Sequence, residues 1–259
     1  MSTISTLFDL TGRVAIVTGG SRGLGLQVAT ALGEYGASLA LVARKRDELD
    51  EAVEALIARG ISAAAFVADL GQDDAAPELA QRVLDHFGRI DILVNNAGAT
   101  WGAPAVDFPL DGWNKVIDLN VTGLFRLTQA VARAAFVPCG KGAVINVASI
   151  EGLVGHHPDR LGTIAYNTAK GAVINMTRAL AAEWGPLNIR VNALAPGFFP
   201  SKMTAATVGE HGAEMIRQTP LGRLGGENDL MGPALLLASD AGAHITGHIL
   251  VVDGGMTVI

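Results

Sequence analysis

The sequence has a single cysteine, few aromatic residues and no long block of one charge. Cys139 alone can form neither an intramolecular disulfide nor a cysteine-based zinc site, so we expect a reducing, cytoplasmic location and no metal site. Aromatic residues make up 5% of the chain, and the net charge is -6 at pH 7. The basic segment 44–46 is too short for a nucleic-acid-binding surface, so we expect no nucleic-acid partner.

Long hydrophobic runs are also missing. Charged, polar or glycine residues interrupt every apolar run before it reaches the length of a membrane span. Residues 1–10 have neither the basic nor the apolar region of a signal peptide, so we expect no signal peptide and no membrane partner. Hydrophobic residues nevertheless make up 49% of the 259 residues, which is enough for a large core.

Short apolar segments alternate with amphipathic segments along the whole chain. Strands are predicted at 14–17, 38–42, 64–67, 90–94, 143–147, 189–194 and 249–252. Helices are predicted at 23–35, 46–59, 73–87, 111–137, 164–184 and 227–238. Strands that are apolar on both faces are typical of a parallel sheet covered by helices. The pattern predicts one α/β domain over 1–259 with a Rossmann fold, a seven-stranded doubly wound parallel sheet with helices on both faces.

A glycine-rich turn follows the first predicted strand directly. Its sequence is TGGSRGLG, and Gly19, Gly23 and Gly25 stand where the strand ends and a helix begins. Without side chains, the backbone there can turn tightly and approach a pyrophosphate, whose charge meets the free N–H groups of the helix. The spacing differs from the G-x-G-x-x-G of other dinucleotide folds, and a glycine-rich turn without a ligand is the alternative.

The end of the second predicted strand distinguishes between the two nicotinamide cofactors. Arg44 stands where a carboxylate would bind the ribose 2′-OH of NAD, and Arg22 lies in the glycine-rich turn. Two guanidinium groups suit a 2′-phosphate, so we predict that the protein prefers NADP(H) to NAD(H). The alternative is that residues 44–46 only form the solvated start of a helix. Asp69 and Leu70 follow the third strand, where Asp69 could bind the adenine amino group or cap the next helix.

A tyrosine and a lysine share one face of a predicted helix. Tyr166 and Lys170 have the i,i+4 spacing that places their side chains together. A nearby ammonium lowers the pKa of a phenol, which makes Tyr166 usable as an acid/base for a carbonyl/alcohol pair. Ser149 follows the fifth predicted strand, at the sheet edge where ligands bind, and its hydroxyl could hold the substrate oxygen.

These motifs, in this order, resemble the short-chain dehydrogenase/reductase family over essentially the whole chain. The resemblance is carried by the following segments: TGGSRGLG at 18–25, NNAG at 95–98, Asn120, Ser149, Tyr166-x-x-x-Lys170 and Pro196-Gly197. Within the family the sequence is most similar to the gluconate 5-dehydrogenase-like and 3-oxoacyl-carrier-protein-reductase-like branch. This resemblance implies an NADP(H)-dependent enzyme that interconverts a ketone and a secondary alcohol.

The resemblance also implies roles for individual residues. Tyr166 would donate the proton, Ser149 would polarise the carbonyl, and Lys170 would bind the nicotinamide ribose and lower the Tyr166 pKa. Asn120 would hold a water molecule that links Lys170 to solvent. The remaining residues would bind the cofactor: Gly19, Ser21, Arg22, Gly23, Leu24, Gly25, Arg44, Asp69, Leu70, Asn96, Ala97, Gly98, Pro196, Gly197, Phe199 and Ser201.

The motifs do not identify the substrate. The segment between Ser149 and Tyr166 is longer than in many family members, and the added residues lie within 155–162, beside the expected substrate. A sugar keto-acid such as 5-ketogluconate and a 3-oxoacyl thioester are the two candidate substrates. A non-catalytic, NADP-binding redox sensor is the alternative, although a sensor needs no tuned acid.

Several other features allow two interpretations. His156 and His157 lack the spaced third ligand of a metal site, so we expect a loop role, the alternative being contact with a polar substrate. Trp101 could line the substrate pocket or pack under a loop, and Glu151 could bind a substrate hydroxyl or be a solvated carboxylate. The glycine-rich stretch 198–226 suits a substrate loop that acts as a lid, and an ordered cap that does not move is the alternative. Family resemblance implies a homotetramer built on helices 111–137 and 164–184.

Overall fold

Seven parallel strands form a single sheet in the computed structural model, which describes residues 3–155 and 162–259. Their order across the sheet is β3-β2-β1-β4-β5-β6-β7, so β2 and β3 lie on one side of β1 and the later strands lie on the other side, beginning with β4. The strands are β1 Val14–Thr18, β2 Ser38–Ala43, β3 Ala63–Val67, β4 Ile92–Asn95, β5 Gly142–Val147, β6 Ile189–Pro196 and β7 Ile249–Val252. The predicted Rossmann fold is confirmed, with strand bounds that differ by one or two residues.

Two hydrophobic clusters cover the two faces of this sheet. Along β1, Ala15 and Val17 belong to one cluster, whereas Val14 and Ile16 belong to the other. Successive side chains of a strand point to opposite faces, so a strand covered on both sides must be apolar at every position. This requirement explains why β1 is buried throughout and why the strands read as continuous apolar runs.

Helices connect the strands and cover the sheet. They are α1 Ile4–Phe8, α2 Gly23–Glu34, α3 Arg46–Ile57, α4 Ala75–Phe87, α5 Leu110–Ile117, α6 Leu124–Val131, α7 Val137–Cys139, α8 Ile164–Trp184, α9 Ala205–Arg217 and α10 Met231–Ala238. The helix α4 is amphipathic, and its apolar residues Leu79, Ala80 and Val83 are buried against the sheet. Gly88 ends the helix in a left-handed conformation with φ +77°.

The helix predicted at 111–137 is a run of α-helix interrupted by π-helical turns. The first π-helical segment, Asp118–Gly123, lies between α5 and α6, and the second, Ala132–Phe136, lies between α6 and α7. Such turns carry an extra residue and occur often at functional sites. Asn120 lies in the first one, where it is 1% exposed.

The segment 198–226 is not the loop-rich excursion that its glycines predict. Its central part folds into α9, which was not predicted, and Gly209 and Gly212 lie within that helix. Met215 on α9 is fully buried. Burial of the apolar face therefore outweighs the low helix propensity of glycine.

Candidate functional site

A cavity of about 550 Å³ lies along the carboxyl edge of the sheet, where the loops after β1 to β6 meet. All of the predicted site residues line it, except Gly25 and Asn120. Ligands of doubly wound proteins bind at this edge, beside the point where the strand order reverses. The topology therefore brings motifs that are widely separated in sequence to one opening.

Close backbone contacts in the glycine-rich turn explain two of its glycines. Gly19 has φ +63°, and a Cβ atom there would come within 2.7 Å of Nδ2 of Asn96. A Cβ atom on Gly25 would overlap the carbonyl oxygen of Gly19. Gly25 does not contact the cavity itself, but it lets α2 approach the turn closely.

The N-terminus of α2 faces this cavity without a side-chain cap. Arg22 is the capping residue, it has extended backbone angles, and its side chain makes no capping hydrogen bond. The first N–H groups of a helix have no partner within the helix and favour an anion. Gly23 and Leu24 begin the helix and line the cavity. These residues fit a pyrophosphate group.

Asn96 and Thr18 connect β1 to the loop after β4. The Asn96 side chain donates to the carbonyl oxygens of Thr18 at 2.9 Å and Gly19 at 3.2 Å. Thr18 Oγ1 accepts from the backbone N–H groups of Asn96 and Ala97, both at 2.9 Å. These bonds fix the glycine-rich turn against the Asn96–Gly98 floor. The sequence reasoning did not single out Thr18, although it begins the motif.

Basic side chains surround one carboxylate at the end of the cavity near β2. Arg22, Arg44, Lys45 and Lys202 line this end, together with Glu48. Arg22 Nη1 lies 2.7 Å from both carboxylate oxygens of Glu48, and Lys45 Nζ lies 3.1 Å from Oε1. Sequence reasoning missed Lys45, Glu48 and Lys202, although Glu48 lies only four residues after Arg44 in the sequence.

Asp69 lines the cavity after β3 but does not cap a helix. Its Oδ1 accepts from the backbone N–H of Gly71 at 3.1 Å, and α4 begins only at Ala75. The alternative interpretation of Asp69 as the N-cap of that helix was therefore wrong. Leu70 is 7% exposed and lines the cavity beside it.

Tyr166, Ser149 and Lys170 meet at the floor of the cavity. Tyr166 and Lys170 lie one turn apart on α8, with Lys170 Nζ 5.4 Å from the centre of the Tyr166 ring. The backbone carbonyl of Val147 accepts a hydrogen bond of 2.6 Å from that ammonium. Ser149 follows β5, and its hydroxyl bonds with the Tyr166 phenol.

Burial shifts both titratable groups toward their neutral forms. Desolvation raises the pKa of Tyr166 to about 12; the hydrogen bond with Ser149 lowers it and the charge of Glu151 raises it. Desolvation lowers the pKa of Lys170 to about 8. In the protein alone, the phenol therefore carries its proton at neutral pH.

Glu151 is held by α8 and is not a freely solvated carboxylate. Asn167 Nδ2 donates to the Glu151 side chain at 2.7 Å and to its backbone carbonyl at 2.9 Å. Thr163 donates in turn to Asn167 Oδ1 at 2.9 Å. The charge of Glu151 raises the pKa of Tyr166, although Glu151 does not line the cavity.

Asn120 contacts the loop after Gly98, outside the cavity lining. Its Oδ1 accepts from the Ala99 N–H at 2.8 Å, and its Nδ2 donates to the Ala99 carbonyl at 2.9 Å. A Cβ atom on Gly98 would lie 3.3 Å from Asn120 Oδ1. The Asn120 side chain thus positions the Gly98–Ala99 backbone, and the water relay implied by the resemblance stays a proposal.

The segment after β6 closes another side of the cavity. Pro196 ends β6, and the Gly197 N–H donates to Val252 O at 3.0 Å. Phe199 is 4% exposed and its ring packs on Gly225. Ser201 is fixed by Thr204, whose hydroxyl lies 3.0 Å from the Ser201 hydroxyl and donates to the Phe199 carbonyl at 2.6 Å.

Trp101 packs against α5 and does not line the cavity. Its ring lies against Gly112 on α5, where a Cβ atom would come within 2.8 Å of it, and Lys115 Nζ lies 5.2 Å from the ring centre. The second interpretation of Trp101 is therefore the correct one. His156 and His157 lie outside the described residues.

The described part of the chain has no helix that is long and apolar enough to cross a membrane. Within residues 3–155 and 162–259, no group of histidine, cysteine and acidic side chains has a metal-binding arrangement. Cys139 is a free, exposed thiol.

Together, a doubly wound parallel sheet and this cavity at its carboxyl edge define a dinucleotide-binding α/β protein. A family model described as enoyl-(acyl carrier protein) reductase matches residues 19–257. The chain belongs to the short-chain dehydrogenase/reductase family, and it is an oxidoreductase that acts on CH–OH or C=O groups.

Relatives of both expected kinds are found. The chain is 38% identical to gluconate 5-dehydrogenase of Gluconobacter oxydans (strain 621H), over 97% of each protein. It is also 38% identical to a 3-oxoacyl-[acyl-carrier-protein] reductase of Synechocystis sp., over 96% of this chain and 98% of the relative. The crystal structure of a gluconate 5-dehydrogenase from Burkholderia cenocepacia J2315, in complex with NADP and tartrate, superposes with a TM-score of 0.93 and 33% identity, covering 99% of this chain and 100% of that one.

Proposed function

We propose that the protein is an NADP(H)-dependent oxidoreductase that interconverts a ketone and a secondary alcohol, with Tyr166 as the acid/base. The meeting of Tyr166, Ser149 and Lys170 at the floor of the cavity carries this proposal. A non-catalytic sensor would need the cofactor end of the cavity, but it would not need a partly buried tyrosine beside a buried lysine.

The side chains of this site have different chemical tasks. The cofactor, when bound, supplies or accepts the hydride. Ser149 holds the substrate oxygen, and Tyr166, protonated at neutral pH, donates its proton to that oxygen during reduction. Lys170, buried beside the ring, stabilises the phenolate that is left and binds the nicotinamide ribose. Asn120, through Ala99, positions the floor of the cofactor site.

The preference for NADP(H) over NAD(H) rests on charge. Arg22 and Arg44 line the end of the cavity near β2, and β2 ends at Ala43 with no carboxylate in the position of an NAD-binding residue. A 2′-phosphate would find two guanidinium groups there. The Burkholderia relative with NADP bound supports the same cofactor.

We propose a sugar keto-acid such as 5-ketogluconate as the substrate. The similarity to gluconate 5-dehydrogenase supports this substrate. Glu151, fixed by Asn167, lies two residues after Ser149 but outside the cavity lining, so it can accept a hydrogen bond only from a hydroxyl of a substrate that extends beyond the cavity. In 5-ketogluconate both neighbouring carbons carry hydroxyl groups, and the carboxylate stands at the other end of the molecule. A 3-oxoacyl thioester has no hydroxyl group beside its ketone, and it is the second candidate because of the acyl-carrier-protein reductase relative.

A homotetramer in the cytoplasm completes the proposal. Phe125 and Val137, on the long helical segment 110–139, are 38% and 49% exposed, which suits a covered face in an oligomer. The free thiol of Cys139 is compatible with a reducing compartment.

Optical measurement of NADPH oxidation, with 5-ketogluconate and acetoacetyl-CoA in parallel, tests this function. We expect turnover of 5-ketogluconate, with NADPH preferred to NADH. Turnover of the thioester alone would place the protein with the acyl reductases. Tight NADPH binding without reduction of either compound would contradict the proposed substrates.

The Glu151→Gln variant tests the substrate contact separately. It keeps the shape of the side chain but weakens the acceptor, so KM for 5-ketogluconate should rise by about tenfold or less. Glu183→Gln, on the same helix as Tyr166 but at its other end, is the matched control and should leave KM unchanged.

A further inference from the structure

Glu48 places a carboxylate at the point where the 2′-phosphate should bind. It lies in the first turn of α3, lines the cavity and has a side chain that is 27% exposed. Its two oxygens both contact Arg22 at 2.7 Å, and one of them contacts Lys45 at 3.1 Å. The charge of Lys202, across the cavity, also acts on it.

A 2′-phosphate and Glu48 would use the same cations. When the phosphate binds Arg22, the carboxylate must either leave Arg22 or stay close to a second anion. Both outcomes weaken binding, since the first breaks charge-assisted bonds and the second adds repulsion between like charges. An unphosphorylated ribose has neither cost, and its 2′-hydroxyl can donate to the Glu48 carboxylate.

We propose that Glu48 is a specificity-determining residue that competes with the 2′-phosphate for Arg22 and Lys45, and so limits the preference for NADP(H) and keeps NAD(H) usable. This inference rests on the proposed function, because it assumes that the adenosine ribose binds at this end of the cavity. In this arrangement the acid that meets the ribose comes from the first turn of α3 instead of the end of β2.

Glu48 also has a structural use that must be separated from this one. An acidic residue in the first turn stabilises a helix, and the Arg22–Glu48 pair joins α3 to the glycine-rich turn. Loss of stability in a Glu48 variant would therefore say nothing about specificity. The ratio of affinities for two ligands that differ only in the 2′-phosphate is a readout that a merely structural role would not move.

Calorimetric titration of the full-length protein with adenosine 2′,5′-bisphosphate and with adenosine 5′-monophosphate measures that ratio directly, without turnover. In Glu48→Gln we expect the affinity ratio, bisphosphate over monophosphate, to rise by about threefold to tenfold. Glu51→Gln removes the same charge from the same helix at an exposed position outside the cavity lining, and the ratio should change by less than about twofold.

A second comparison tests the route of the effect. In an Arg22→Gln background, Glu48→Gln should raise the ratio by less than in the wild-type protein, because the shared cation is gone. An unchanged or lower ratio in Glu48→Gln would overturn the inference. A ratio that rises equally in Glu51→Gln would overturn it too, since the effect would then be a general one of net charge.

A different result would contradict the proposed preference for NADP(H). If the wild-type protein binds the bisphosphate no better than the monophosphate, and Arg44→Asp leaves both affinities unchanged, the 2′-phosphate site is not at this end of the cavity. In that case the assignment of Arg22 and Arg44 is wrong as well. If instead only Glu48→Gln shows the preference for the bisphosphate, the inference is supported strongly.

Discussion

Two titratable residues on α8 have little contact with water, since Tyr166 is partly buried and Lys170 is buried. Burial holds the phenol neutral and opposes the charge on the ammonium, with pKa values of about 12 and about 8. The sequence led us to expect that Lys170 would lower the pKa of Tyr166, but burial is the larger effect in the protein alone. A protonated Tyr166 suits the reduction direction, in which it donates a proton.

The buried ammonium of Lys170 gives a pH-dependent stability that can be measured. Its pKa falls from 10.5 to about 8, so the unfolded chain binds more protons than the folded chain between these values. Wild-type stability should therefore rise, relative to Lys170→Met, by about 2 kcal/mol between about pH 7 and about pH 10.

Guanidinium chloride unfolding at several pH values checks this prediction. Lys115→Met, which changes an exposed lysine, is the control and should give a curve parallel to that of the wild type. A parallel curve for Lys170→Met would mean that Lys170 is not a costly buried charge.

Arg44 should govern the choice of cofactor from the end of β2. Arg44→Asp places a carboxylate against the 2′-phosphate, so the Kd for NADPH should rise by at least about tenfold while the Kd for NADH changes little. Fluorescence titration with both cofactors measures this. Arg46→Asp, which lies outside the cavity lining and pairs with Asp50, is the matched control. Equal losses for NADPH and NADH in Arg44→Asp would refute the 2′-phosphate assignment.

At the scale of elements, the β1–turn–α2 unit depends on a close approach of backbone to backbone. Gly25 lies inside α2 against the Gly19 carbonyl, and Asn96 holds the same turn from the side of β4. The turn and the uncapped helix end therefore keep one shape before any ligand binds. This preorganisation is what a phosphate site requires.

The Gly25→Ala substitution should disrupt that unit. A Cβ atom would overlap the Gly19 carbonyl oxygen and approach Asn96 Nδ2, so the helix must move away from the turn. We expect NADPH affinity to fall by about tenfold or more, together with a loss of stability of about 1–3 kcal/mol. Gly232→Ala, on α10, meets nothing within 4 Å and should leave both unchanged within about 0.5 kcal/mol. Normal NADPH binding by Gly25→Ala would show that the turn tolerates a side chain.

The elements themselves could be predicted to different degrees. Strands were found within one or two residues, because a strand buried on both faces leaves a continuous apolar run. The helix α9 was missed because its glycines resemble a loop, and the burial of Met215 that stabilises it is a tertiary effect. The π-helical turns around Asn120 also left no signal in the periodicity.

At the scale of the whole molecule, the topology decides which motifs meet. Parallel strands end at one edge, so the residues after β1 to β6 could be predicted to share one site. Two of the missed residues show why this rule is incomplete. Glu48 comes from the first turn of α3, and Lys202 lies in the long connection after β6, where periodicity does not say which side chains turn toward the cavity.

The relatives of this chain share its fold but differ in the substrates for which they are named. Relatives with two different substrate names share the same fold and similar identity with this chain. Within one fold, substrate choice depends on a few side chains and on loops whose shape periodicity does not encode. The reaction type is common to the family, whereas the substrate must be measured.

The central claim is that Tyr166 donates the proton in carbonyl reduction. A single-turnover reaction of NADPH-bound protein with 5-ketogluconate, compared between wild type and Tyr166→Phe, tests it most directly. The variant keeps the ring and loses the proton, so its rate should fall by at least about a thousandfold while its Kd for NADPH stays within about threefold. An unchanged rate in Tyr166→Phe would contradict the account.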